Sequence, residues 1–172
     1  MPNHEEYMRL ALSLAAKGLG RTSPNPAVGA VIVKHGLIIG KGFHKKAGLA
    51  HAEIAALDSI KKGPAKGASL YVTLEPCCNW GRTPPCTDAI ISSGVKRVVV
   101  GTMDPNPKVS GKGLKQLASA GIEVITGVLE EECRALNESY NKFITKGLPF
   151  VTIKLAVTLD GRAAAKTGES RW

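Results

Sequence analysis

Between residues 4 and 18 the hydrophobic positions fall at Tyr7, Met8, Leu10, Ala11, Leu14 and Ala15, the spacing of an amphipathic helix. Gly18 and Gly20 supply its stop. Two prolines in Thr22-Ser-Pro-Asn-Pro26 exclude a helix interior and predict a loop. The pattern then changes to two short β-like runs, Val28–Val33 and Leu37–Phe43, separated by Lys34-His-Gly36, which read as a hairpin. Helical spacing returns over 51–62, where Ile54, Ala55, Leu57 and Ile60 share a face. Ser69–Leu74 reads as a strand and 75–85 as irregular. A helix over 86–93, strand Arg97–Gly101, loop Thr102–Gly111, helix Lys112–Ala120 and strand Glu123–Ile125 follow. A last helix is predicted from Glu130 to about Lys146, with three carboxylates in its first turn, where the helix dipole favours them.

A hairpin followed by βα units implies an α/β domain, a mixed five-stranded sheet with helices on its faces. Pro149 marks a break. Phe150–Val157 has high β-propensity and reads as one further strand, followed by Leu159-Asp-Gly161 and a polar tail. One strand without partners cannot form a domain. The expected division is 1–147 as one domain and 148–172 as a linker plus the first strand of a second, truncated one.

Composition narrows the function classes. The chain has 172 residues, 44% hydrophobic and 22% charged, which is ordinary for a globular domain and excludes disorder as the main state. No run of about 18 apolar residues exists, so no membrane span is expected. The start, Met-Pro-Asn-His-Glu-Glu, carries no secretory signal, and a cytoplasmic location is expected. Four cysteines in such a chain are expected to stay reduced and available as metal ligands. The net charge of +9 favours an anionic partner, a small phosphorylated molecule or nucleic acid. The cations are scattered, however, and aromatic residues make up only 5% of the chain, few for stacking bases.

Three segments could supply metal ligands: His51-Ala-Glu53 at a predicted helix start, Pro76-Cys77, and Pro84-Pro85-Cys86 at a second helix start. One imidazole and two thiolates suit zinc and leave a fourth position open, as catalytic zinc sites do. The positive end of a helix stabilises a thiolate at Cys86. Glu53, two residues after His51, could reach a water at the open position and move protons. His-x-Glu followed by Pro-Cys and a second Cys matches the zinc deaminase signature. The eight residues between Cys77 and Cys86 depart from the usual Cys-x-x-Cys. On these residues alone, a zinc that only staples the fold and a nucleic-acid deaminase also remain open.

The segment Leu74-Glu-Pro-Cys-Cys-Asn-Trp-Gly-Arg-Thr-Pro-Pro-Cys86 resembles the extended zinc motif of the riboflavin-pathway pyrimidine deaminases. So do Pro24-Asn-Pro-Ala-Val-Gly-Ala-Val-Ile-Val33, His51-Ala-Glu53 and Asp104-Pro-Asn-Pro107. The family is the bifunctional diaminohydroxyphosphoribosylaminopyrimidine deaminase/5-amino-6-(5-phosphoribosylamino)uracil reductase, within the cytidine deaminase-like superfamily. The likeness runs from about Tyr7 to Gly161. Phe150–Gly161 resembles the opening strand of the NADPH-dependent reductase half.

The resemblance implies a three-layer cytidine deaminase-like sandwich, with zinc on His51, Cys77 and Cys86 and Glu53 as the proton shuttle. It implies that Asn25, Asp104 and Asn106 hold a pyrimidine ring, with His44 and Arg82 near the ribose phosphate. The implied reaction removes the 2-amino group of 2,5-diamino-6-(5-phosphoribosylamino)pyrimidin-4-one as ammonia. NADPH would serve only the missing reductase half. A small phosphorylated pyrimidine is the expected partner, with a homo-oligomer and neither membrane nor nucleic acid. The chain departs from the family at Asn79, where a His is usual; at the position of Trp80 the family usually has an aromatic residue or a His. The alternative is a tRNA or free-nucleobase zinc deaminase of the same superfamily.

Overall fold

The computed structural model describes residues 3–81 and 84–169. In chain order the elements are α1 (His4–Ala16), β1 (Gly29–Lys34), β2 (Leu37–Phe43), α2 (Ala52–Asp58), β3 (Ser69–Leu74), α3 (Cys86–Ser92), β4 (Arg97–Thr102), α4 (Lys112–Ser119), β5 (Glu123–Thr126), α5 (Glu130–Leu136) and α6 (Glu138–Lys146). The strands form one sheet in the order β2-β1-β3-β4-β5. β1 runs antiparallel to β2 and β3, whereas β3, β4 and β5 are parallel. This is the expected mixed five-stranded sheet.

Alternation along the strands sorts the core into two layers. Ala30, Ile32, Leu70, Val72, Val98 and Val100 pack against Ala52, Ala56, Ile90 and Leu117 of α2, α3 and α4. Val31, Val33, Tyr71 and Val99 point the other way, against Met8, Ala11 and Leu14 of α1 and Cys133 of α5. Helices therefore cover both faces. α2 lies so close to β2 that a Cβ at Gly42 would stand 2.3 Å from the Ala56 nitrogen, so only glycine fits there.

Two expectations change. The single helix predicted from Glu130 to about Lys146 is two helices broken at Asn137, whose backbone leaves the helical region at φ −114, ψ 28. Its buried amide accepts from Ala27 N at 2.8 Å and donates to Ala27 O at 2.8 Å. A side chain turned inward to satisfy a distant backbone competes with helix propagation, as Asn does readily. The second change is at Phe150–Val157. These residues form no strand and are exposed, because neither sheet edge pairs with them and a lone strand leaves its backbone groups to water.

Candidate active site

The C-terminal ends of β3 and β4 and the N-terminal end of α2 converge, the usual place for a site in an open α/β sheet. A cavity of about 120 Å³ there is lined by Asn25, His44, His51, Glu53, Glu75, Cys77 and Asp104, among others. A larger chamber of about 500 Å³ shares Asn25, His51 and Cys77 with it and continues outward past Leu49, Asn79, Trp80 and Asn106. The molecule thus offers a tight inner compartment opening into a wider outer one.

His51 is the N-cap of α2, with an extended backbone at φ −68, ψ 163, and Cys86 opens α3. Cys77 follows β3. The ligand atoms of the three lie within 4.8 Å of one another. His51 Nδ1 stands 3.5 Å from Cys77 Sγ and 3.3 Å from Cys86 Sγ. Zinc bonds of about 2.0 Å to nitrogen and 2.3 Å to sulfur in a tetrahedron require N···S edges of about 3.5 Å, so the donor set fits zinc by chemistry and by spacing. The Cys86 N–H also donates to Cys77 Sγ at 3.3 Å, which favours a thiolate there. The Cys86 hydrogen bond is the main cause that brings Cys77 down to about 4, while the same shared proton and burial drive Cys86 up. His51 is raised chiefly by its contact with Cys77, against the opposing effect of burial.

Glu53 is 3% exposed and faces the inner cavity. Burial, reinforced by the charge of Cys77, pushes its carboxyl up to about 7, where it can both take and return a proton near neutrality. His44, 2% exposed, has both ring nitrogens engaged: Nδ1 lies 3.0 Å from Ala50 O and Nε2 lies 3.1 Å from Asn25 Nδ2. Nδ1–H donating to the carbonyl makes Nε2 the acceptor, and burial, the largest cause, lowers the imidazole's pKa and keeps it neutral. Its ring meets His51 edge-on at 5.3 Å. His44 therefore lines the inner compartment as the partner of Asn25. Arg82, the other expected phosphate contact, lies outside the described residues.

Asp104 also lines the inner cavity, and burial raises its pKa. It accepts from Asn106 N at 2.8 Å, and Asn106 Oδ1 accepts from Lys108 N at 3.1 Å, so both side chains shape their own turn. Asn106 faces the outer chamber.

Sequence reasoning gave Glu75 no role. Buried in the cavity wall, Glu75 accepts through Oε2 from Gly111 N at 2.9 Å and Asp104 N at 3.2 Å. Its Oε1 accepts from Gly113 N at 2.9 Å and Leu114 N at 3.4 Å. One carboxylate gathers both ends of the 104–114 loop. Gly113 must be glycine, since a Cβ would stand 2.3 Å from Pro76 O. The available signal was a carboxylate at a strand end beside a candidate ligand, in Glu75-Pro-Cys77.

A His/Cys/Cys cluster closed on one side by a buried carboxylate is the arrangement of a metal-assisted, acid–base hydrolytic centre. The chain belongs to the cytidine and deoxycytidylate deaminase family: residues 1–102 match that family's zinc-binding region. It is 61% identical over 168 residues to the riboflavin biosynthesis protein RibD of Aquifex aeolicus, covering 98% of this chain and 47% of that protein. Identity to the Escherichia coli RibD is 51%, covering 98% and 46%. Among solved structures, a diaminohydroxyphosphoribosylaminopyrimidine deaminase/5-amino-6-(5-phosphoribosylamino)uracil reductase of Thermotoga maritima superimposes with a TM-score of 0.94 at 54% identity, covering 98% of this chain and 49% of that one. A cyanophage S-TIM5 dCMP deaminase aligns more loosely, with a TM-score of 0.58 at 25% identity over 73% of this chain and 98% of its own. The chain spans about half the length of the curated relatives it matches. No helix among the described residues is long and apolar enough to cross a membrane.

Proposed function

We propose that this chain hydrolyses the 2-amino group of 2,5-diamino-6-(5-phosphoribosylamino)pyrimidin-4-one, giving 5-amino-6-(5-phosphoribosylamino)uracil and ammonia in riboflavin biosynthesis. The observation that carries the proposal is the pair of nested compartments. The inner one ends on the metal ligands and Glu53 and suits a heterocycle, and the wider outer one suits a sugar phosphate. Identity of 61% to a riboflavin biosynthesis protein supports the same substrate.

His51, Cys77 and Cys86 would hold zinc, which supplies a Lewis acid that lowers the pKa of water to near neutrality. Glu53 takes one proton from the attacking water to the ring nitrogen, then takes the second from the hydroxyl added to the ring carbon and passes it to the departing amine. Asn25 has its amide nitrogen turned to His44, which leaves its carbonyl oxygen to accept from the ring. Asp104 accepts from ring N–H or amino groups on another side, and Asn106 borders the path to the sugar. Arg82 is proposed as a phosphate contact from sequence alone. Residues 1–147 would form the deaminase and 148–172 would begin the NADPH-dependent reductase of the longer relatives. Cytoplasmic residence and self-association belong to the same proposal.

The test is ammonia release by the zinc-loaded chain from four substrates: the phosphoribosylated pyrimidine, its dephosphorylated form, the free base cytosine and tRNA. The phosphoribosylated pyrimidine should react with the highest kcat/KM. A preference for tRNA or for a free nucleobase would replace this reading with the alternative one.

A further inference from the structure

Tyr140 lies outside both compartments, yet its hydroxyl donates to Asp104 Oδ1 at 3.1 Å and is 3.4 Å from Oδ2. Burial and the Asp104 charge raise the phenol's pKa, so it remains a donor at neutral pH. Three residues earlier, at the N-cap of the same helix, Asn137 holds both backbone groups of Ala27 at 2.8 Å. Ala27 follows Asn25-Pro26 directly. The α5–α6 junction thus grips the two segments that carry Asn25 and Asp104, which line the same cavity.

We infer that Asn137 and Tyr140 form one brace that sets the separation of Asn25 and Asp104 across the inner cavity, with Tyr140 as a positioning residue for substrate. The inference rests on Asp104 being a ring contact. A carboxylate's terminal torsion is broad, so its own rotamer does not orient the two oxygens. The Asp104 backbone is fixed by Glu75, and the Asn106 N–H holds Oδ1 from within the turn. Among the described residues, Tyr140 is the side chain that fixes the plane of the carboxylate from outside its own loop. Tyr140 lines a groove together with Leu19, Pro24, Ala27 and Phe143, and phenylalanine presents the same ring there.

The test uses the zinc-loaded chain and the phosphoribosylated pyrimidine. Tyr140→Phe should raise KM roughly five- to tenfold, the size of one net hydrogen bond, and leave kcat within about twofold. Zinc content should match the parent. Kd is then measured in a Glu53→Gln background, where substrate persists, for Tyr140→Phe, Asp104→Ala and the pair. If Tyr140 acts through Asp104, the double variant binds no worse than Asp104→Ala alone. Asp104→Ala that binds like the parent would overturn the ring-contact reading and the brace with it. If Asp104→Ala weakens binding while Tyr140→Phe has no effect, or the two losses multiply, the brace alone is refuted.

Discussion

Replacing Glu75 by Gln changes one oxygen to an NH2 group in a site built entirely from donors. Either orientation of the amide keeps one of the two 2.9 Å bonds and one of the longer ones. The two N–H groups on the other side lose their acceptor and face a donor. Each buried, unsatisfied donor costs about 1–3 kcal/mol, and the longer of the two bonds lies at the low end. The expected loss is about 2–4 kcal/mol, a sizeable share of the roughly 5–15 kcal/mol that stabilises a domain. For a chain of this size it corresponds to a fall of roughly 4–16 °C in Tm. Urea unfolding of parent and variant at the same zinc excess measures it, because bound metal shifts both by mass action. A difference below about 0.5 kcal/mol, the size of an ordinary surface substitution, would refute the view that Glu75 gathers the 104–114 loop.

Cys86→Ser should lose most of the bound zinc, measured by metal analysis after dialysis, and full retention would remove Cys86 from the ligand set. Zinc affinity should fall as pH falls. The ligands bind metal deprotonated, and both His51 and Cys86 have raised pKa values, so acid protonates them in competition with zinc. Zinc uptake by the metal-free chain at pH 7 should accordingly release at least about one proton, read by calorimetry in buffers of different ionisation heat; no release would contradict a proton shared within the His51, Cys77 and Cys86 cluster.

Much of the sheet was legible because strands buried on both faces read as short, continuous β-branched runs bounded by polar residues or glycine, such as Arg97–Gly101. The candidate ligands were legible because imidazole and thiol at helix starts are rare and chemically distinctive. The break at Asn137 was not, since helical spacing continues across it and its cause is Ala27, 110 residues away. Glu75 was missed for a related reason: its partners are backbone N–H groups 29 to 39 residues on, and backbone donors leave no mark in sequence. His44 was legible as a functional candidate, but its hydrogen-bond partners were not. Its position depends on the Ala50 carbonyl and Asn25, which only folding brings to its two nitrogens. The 150–157 segment shows the limit of propensity, for β-branched residues favour a strand only where a neighbour completes the ladder.

The central claim is that Glu53 moves the proton for a reaction centred on the His51, Cys77 and Cys86 cluster. Glu53→Gln preserves size and hydrogen-bonding capacity and removes the exchangeable charge. Zinc content and ammonia release from the phosphoribosylated pyrimidine, measured on one preparation of this variant, test the claim directly. The account predicts zinc equal to the parent and turnover lower by about a hundredfold or more. Near-parental turnover in the zinc-loaded variant would contradict it.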